Sequence, residues 1–236
     1  MIRRFIKFLL ILVACELFGG LEQSYYKLSI KEQKEEFPKI ISQMVQDSNQ
    51  NTLRSREFAL NYLNLIYKKS FRDLDLSNLD KLLSIAKTYK IQKIFDPNEY
   101  ISKLDAIPVS LAIAQAAVES GWGKSRFAKE ANNFYGHWTW GGKGLVPLNR
   151  DENKTHEIKI FDSPSAAVDA YVLNLNSHPA YSKFREIRLK FRKDDLIYTG
   201  LDAAKTMESY SQMGEIYVKQ LEKTIKLYDL TKFDRI

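Results

Sequence analysis

A chain of 236 residues with 44% hydrophobic residues and only 10 Gly and 6 Pro reads as an ordered, mostly helical globule: one sizeable domain with an appended helical region. Its formal charge of +7 is spread along the chain rather than gathered in one block. Such a surplus suits an anionic partner such as a wall polymer or an acidic lipid headgroup, and the absence of any nucleic-acid module argues against nucleic acid.

At the N-terminus, Arg3, Arg4 and Lys7 precede the apolar run Phe8 to Ala14. This is the layout of a signal sequence and is short for a membrane-spanning helix. Leu12-Val13-Ala14-Cys15 resembles the lipobox of bacterial lipoproteins, which implies that Cys15 is lipidated and becomes the first mature residue. An ordinary cleaved signal and an uncleaved anchor are the competing readings. All of them deliver the chain outside the cytoplasm, to the cell envelope or periplasm. Cys15 is the single cysteine, so no intramolecular disulfide can form.

Residues 21 to 100 read as a helical region. Phe37, Ile40, Ile41, Met44 and Val45 fall at helical spacing, as do Phe58, Tyr62, Leu65 and Ile66, and the polar stretch Asp47 to Thr52 reads as their connection. Ser77 to Tyr89 forms another helix, with Leu79, Leu82, Leu83 and Ala86 on one face; Asp96-Pro97-Asn98 reads as a turn. No chemical constellation occurs here. Packing against the rest of the chain is the expected role, with a membrane spacer as the alternative.

The run Ile107 to Val118 has the Ala/Leu/Ile content of a buried helix, with Pro108 in its first turn and Gly121 as its stop. Glu119 closes that run beside Trp122. A carboxyl at the tip of an apolar helix resists ionisation, because desolvation penalises its charged form. A carboxylic acid still protonated near neutral pH is what protonation of a glycosidic oxygen requires. The competing reading is a helix-terminal Glu paired with Lys124 or Arg126.

Beyond this helix the pattern changes. Trp138, Trp140, Gly141, Gly142 and Gly144 break helical periodicity, and His156 to Phe161 alternates like a strand. A small β-lobe at 137 to 161, facing Glu119 across a cleft, is expected. Glu157 on its strand is the candidate second carboxylate, with Asp151 and Glu152 as rivals; a solvent-facing strand residue is the alternative for Glu157. Trp122, Phe134, Tyr135, Trp138 and Trp140 form an aromatic cluster whose flat faces suit a pyranose, and Asn132 and Asn133 could hydrogen-bond an acetamido group. Phe134 and Tyr135 are expected to be mainly packing, and Trp138 to line the cleft. Ser163-Pro164 caps a helix running through Tyr171 to Asn176. Gln212 to Tyr228 forms an amphipathic helix with Ile216, Tyr217, Leu221, Ile225 and Tyr228 on its buried side.

The string LAIAQAAVESGWGKSRFAKEANNFYG, ending at Gly136, resembles the glucosaminidase domain of glycoside hydrolase family 73, including the bacterial Bax-type proteins. The resemblance continues through Gly144 to Pro147, His156 to Arg185 and Tyr210 to Leu221. It implies a mainly α (α+β), lysozyme-like domain over 101–236, with an N-terminal helical extension and a small β-lobe. It also implies cleavage of β-1,4 bonds next to N-acetylglucosamine in peptidoglycan, with Glu119 as the catalytic acid. Tyr210 aligns with a tyrosine common in the family that lines the active site; a core tyrosine is the alternative. Tyr171 joins the substrate-binding candidates. Bax-type sequences resemble one another in a Cys pair in the lobe, where this chain has Thr139 and Lys143 and so lacks the staple.

Competing chemistries lack their parts. The three His (His137, His156, His178) show no ligand spacing, the lone Cys sits in the export signal, and no phosphate-cradling glycine loop exists. No metal and no cofactor is expected. The partners are peptidoglycan strands and, through Cys15 or the signal segment, the membrane. The rivals are a muramidase-type enzyme of the same fold and a non-catalytic, wall-binding lipoprotein acting as a scaffold.

Overall fold

A short helix, α1 (Gln23–Tyr26), leads into α2 (Ile30–Lys68), an unbroken rod of 39 residues in this computed structural model, which describes residues 20–147 and 155–234. Cys15, Asp151 and Glu152 lie outside the described residues. A capping box starts α2: the Ser29 hydroxyl accepts from the Glu32 amide, and the Glu32 carboxylate accepts from the Ser29 amide. The expected break at Asp47 to Thr52 does not occur. Asn49 both donates to and accepts from the Ile107 backbone, each at 2.9 Å, while Thr52 Oγ1 donates to the Ser48 carbonyl and accepts from the Tyr89 hydroxyl. Polar side chains that face a neighbour's backbone mimic a loop in sequence although they are interior.

The rod serves two clusters. Phe37, Ile41 and Val45 enter the main core; Ala59, Tyr62, Leu63 and Ile66 form a second one with Leu82 and Ala86 of α3 (Leu76–Thr88) and Tyr100 of α4 (Pro97–Lys103). Leu65 and Leu83, expected on buried faces, are exposed.

At the centre lies α5 (Val109–Ser120), with ten of its residues buried. It begins later than the apolar run because Pro108 is its N-cap, not part of its first turn, and offers no capping side chain. Asp234 supplies the cap from the far end of the chain. Its carboxylate accepts from the Ser110 amide at 2.8 Å and hydroxyl at 2.6 Å, and from the Gly200 amide at 2.9 Å. A β-carbon at Gly200 would collide with the Ser110 hydroxyl, so this junction requires glycine. Gly121, at φ 58°, ends α5 in the left-handed conformation, as the sequence predicts.

After α6 (Arg126–Ala131) come β1 (Trp138–Thr139), β2 (Gly144–Leu145) and β3 (Glu157–Lys159), an antiparallel sheet in the order β1-β3-β2. Trp138 and Leu145 flank Ile158, and Thr139 sits opposite Glu157. The helices α7 (Pro164–Ser177), α8 (Ser182–Lys193), α9 (Gly200–Ala204) and α10 (Glu215–Leu227) complete the body. Ser163 caps α7 as expected, accepting from the Ala166 amide. In α10, Tyr217, Leu221 and Ile225 are buried, but Ile216 is 65% exposed: the helix starts at Glu215, and that face turns to solvent. The mainly helical architecture with a small β-lobe is therefore as expected.

A buried charge cluster joins the two clusters. Arg188 donates to the Asp105, Ala106 and Ser102 carbonyls and to Asn176 Oδ1, while the Asp105 carboxylate lies 3.4 Å from Arg56 of α2 and 3.2 Å from Arg192. Burial draws the Arg188 pKa down to about 10, with Asp105 opposing it, so the guanidinium stays charged and paired at neutral pH. Among the described residues no helix is long and apolar enough to cross a membrane.

Candidate active site

Of the residues in α5, Glu119 is the single exposed one. Ten of the others are buried and Val118 is half-buried, and the last turn brings the carboxyl to the surface. Gly136 passes close by: a β-carbon there would lie 3.6 Å from Glu119 Oε2. Burial of the carboxyl's surroundings raises its pKa, and a hydrogen bond from Tyr217 opposes that rise. The negative end of the helix dipole acts in the same direction as burial. The competing ion-pair reading does not hold. Arg126 pairs with Glu130 at 2.9 Å, and Glu119 makes no ion pair among the described residues.

Beneath the carboxyl runs an ordered polar chain. The Tyr171 hydroxyl donates to Gln115 Oε1 at 2.6 Å, and Gln115 Nε2 donates to the Tyr217 hydroxyl at 3.0 Å. The Tyr217 proton is thereby left for Glu119. Burial raises the pKa of both tyrosines, so neither competes as an acid. Gln115 and Glu119 lie one helical turn apart on α5, which places both over α10. Sequence reasoning placed Tyr217 in the core and gave Gln115 no role. The signal available was that i, i+4 spacing of polar residues in an otherwise apolar helix.

The other candidates fall into three groups. Tyr210 stands beside this chain, stacked on Tyr217 with ring centroids 5.7 Å apart, and its hydroxyl donates to the Tyr135 carbonyl at 2.9 Å. Its proton is thus directed at backbone and not at an acetamido oxygen. Tyr135 and Tyr171 are buried and stack at 3.9 Å, forming the floor below Glu119 and Tyr210 rather than a sugar-contacting wall.

Asn132 and Asn133 are not free to bind a sugar. Asn133 Nδ2 donates to the His137 and Lys159 carbonyls, each at 2.8 Å, and its Oδ1 accepts from the His137 amide at 3.0 Å. Asn132 Nδ2 donates to the Phe161 carbonyl at 2.8 Å. Both hold the lobe to the helical body. Trp122 is a packing residue too, edge-on to Phe37 and to Tyr228.

The lobe carries the remaining two. Trp138 is 48% exposed, stacks on His156 at 4.0 Å and meets the tilted ring of Trp140 at 6.3 Å. Glu157 folds over Gly144, where a β-carbon would press against both its Cβ and its carboxylate. Where the staple is missing, the Thr139 hydroxyl donates to the Gly141 carbonyl and the Ile160 amide donates to the Lys143 carbonyl. The His137 ring is buried, and burial followed by the nearby Lys159 draws its pKa down to about 4, so it is neutral.

A family model described as glucosaminidase, mannosyl-glycoprotein endo-beta-N-acetylglucosaminidase, matches residues 97–230. The protein called Protein bax from Escherichia coli (strain K12) is 35% identical over 142 residues, 58% of this chain. The chain spans 50% of that curated relative's length. Among solved structures, the catalytic domain of the autolysin Auto from Listeria monocytogenes aligns over 75% of this chain and 87% of that one, at 20% identity and a TM-score of 0.41.

Proposed function

The chain belongs to the glucosaminidase family, and on that premise we propose that it is a glycoside hydrolase of the bacterial wall, an endo-β-N-acetylglucosaminidase that cuts β-1,4 bonds of peptidoglycan. One observation carries the reading: the lone exposed residue of a buried helix is a carboxyl with a raised pKa, oriented from below by a buried tyrosine. In the proposed reaction Glu119 transfers its proton to the glycosidic oxygen as the bond to the anomeric carbon breaks, and the sugar takes on oxocarbenium character. Water completes the hydrolysis. Glu157 is its base in the first-ranked route; in the second, the 2-acetamido group of the sugar attacks first and Tyr210 lines the site. Trp138, nearly half exposed, supplies aromatic surface for a pyranose ring.

The test is digestion of purified peptidoglycan, with mass spectrometry of the new reducing ends. N-acetylglucosamine ends support the proposal. N-acetylmuramic acid ends make the protein a muramidase, and the absence of products makes it a wall-binding scaffold. Export to the envelope and attachment through Cys15 are part of the same proposal, since they bring the enzyme to its polymer.

A further inference from the structure

The far end of α2 carries an exposed aromatic row. Tyr67 and Phe71 meet edge to face at 5.5 Å, and Phe71 and Phe95 at 5.3 Å. The Tyr67 hydroxyl locks the row by donating to the Phe95 carbonyl at 2.6 Å. The three side chains are 49%, 46% and 37% exposed. Solvent-facing aromatics at adjoining positions are unusual where nothing covers them.

The backbone holds Phe71 outward at a cost. Helix α2 closes with the Ser70 amide donating to the Tyr67 carbonyl and the Phe71 amide to the Ile66 carbonyl, the paired bonds of a Schellman turn. Ser70 and Phe71 have φ of 48° and 62°, the left-handed region that a bulky residue avoids. Strain of this kind persists where something uses it.

Cations flank the row, with Asp73 and Asp96 as the adjoining carboxylates. Lys68, Lys69, Arg72 and Lys93 are all exposed, and none has an ion pair among the described residues. From Tyr67 to Asp73 three cations stand against the single carboxylate of Asp73. A tyrosine and two inserting phenylalanines flanked by cations without ion pairs are the chemistry that seats a protein at the headgroup level of an anionic bilayer. A polysaccharide would call for a flat platform. Rings at 83° and 84° to one another offer none.

We propose that the Tyr67–Phe71–Phe95 row with Lys68, Lys69, Arg72 and Lys93 is a docking surface for an anionic lipid bilayer. The row inserts its ring edges among the headgroups, and the cations pair with lipid phosphates. Helix α2 runs from the core beside α5 to this surface, and the 22 residues between Val45 and Tyr67 span about 33 Å. Glu119 is thus held well away from the docked end.

The experiment is co-sedimentation of the full chain with phosphatidylcholine vesicles, with mixed phosphatidylcholine–phosphatidylglycerol vesicles, and with purified wall sacculi. Comparing variants separates this surface from any contribution of the N-terminal segment. Phe71→Gly relieves the left-handed strain and so keeps the fold. Lys68→Glu with Lys69→Glu inverts the charge. Each cation near such a surface is worth about fivefold in binding, so the charge variant should lose at least 25-fold on the anionic vesicles. Phe71→Gly should weaken binding on those vesicles, and digestion of soluble wall fragments should not change. Equal binding of wild type and variants overturns the proposal, as does equal binding to both vesicle types. Retention on sacculi that is lost in the variants overturns it too, and makes the row a wall contact.

Discussion

Replacing Tyr217 by Phe removes one oxygen from beneath Glu119 and leaves the ring stacked on Tyr210. That oxygen accepts from Gln115 Nε2 at 3.0 Å and donates to the Glu119 carboxyl. A hydrogen bond to the protonated, neutral acid is worth about 0.5–1.5 kcal/mol. Expressed wholly in the placement of the acid, its loss lowers kcat/KM by about 2- to 13-fold. The pH profile moves in a defined direction. Burial raises the Glu119 pKa and the Tyr217 bond opposes that rise, so removing the bond lets the carboxyl keep its proton to higher pH. The alkaline limb of activity, which marks loss of the acid's proton, should therefore shift upward while the maximal rate falls. The neighbouring tyrosines hold still over this range: burial raises the pKa of Tyr210, which faces the carboxyl, and of Tyr135 and Tyr181 around it. The assay is release of soluble fragments from purified wall across pH, with thermal melts as the control. Gln115 Nε2 loses its acceptor in a dry interior, at about 1–3 kcal/mol, so a modest drop in Tm is expected. A profile whose alkaline limb stays put or moves down refutes the assignment of Tyr217 to the acid.

Glu119→Gln should slow hydrolysis by about 10²–10⁴-fold. Its folded pKa is raised, so the carboxyl's contribution to stability is full in acid and lost as pH rises through that pKa; at neutral pH the Gln variant should melt no lower than wild type, and the difference should vanish in acid. If Glu157 is the base, Glu157→Gln should cost nearly as much activity as Glu119→Gln; survival of that change together with a sharp loss in Tyr210→Phe selects the acetamido-assisted route. Asn133→Ala removes three bonds between body and lobe and should cost about 2–4 kcal/mol in urea unfolding, whereas a sugar-binding role alone would leave stability unchanged. A clickable fatty acid should label wild-type cells and not Cys15→Ala; equal labelling of both, or of neither, removes the lipid anchor.

The parts of the fold set by composition were legible. An apolar run ended by glycine marks α5, and Ser163-Pro164 marks the start of α7, because these residues act on their own backbone. Features set by long-range partners were not. Asn49 and Thr52 read as part of a loop because their partners, Ile107 and Tyr89, lie far along the chain. Asn132 and Asn133 look like ligand donors by type, and only the lobe's path shows that the backbone occupies them. Glu119 could be singled out as a candidate from its local surroundings, whereas Tyr217 could not. Nothing local separates Tyr217 from Ile216 until the start of α10 fixes which of the two faces inward.

The cap that Asp234 places on α5 also bears on the order of assembly. Ser110 and its capping carboxylate are 124 positions apart, so the helix that carries the acid is closed at its start by one of the most remote contacts in the fold. Bringing such partners together is entropically slow, and a chain emerging from N to C cannot form that contact until Asp234 has been made. A nascent or truncated chain therefore keeps Ser110 and Gly200 amides without their acceptor, and its acid helix stays frayed at the base. Completion of this helix is in that sense a late event in folding, coming after the satellite cluster of Ala59 to Leu104, whose contacts are closer in sequence.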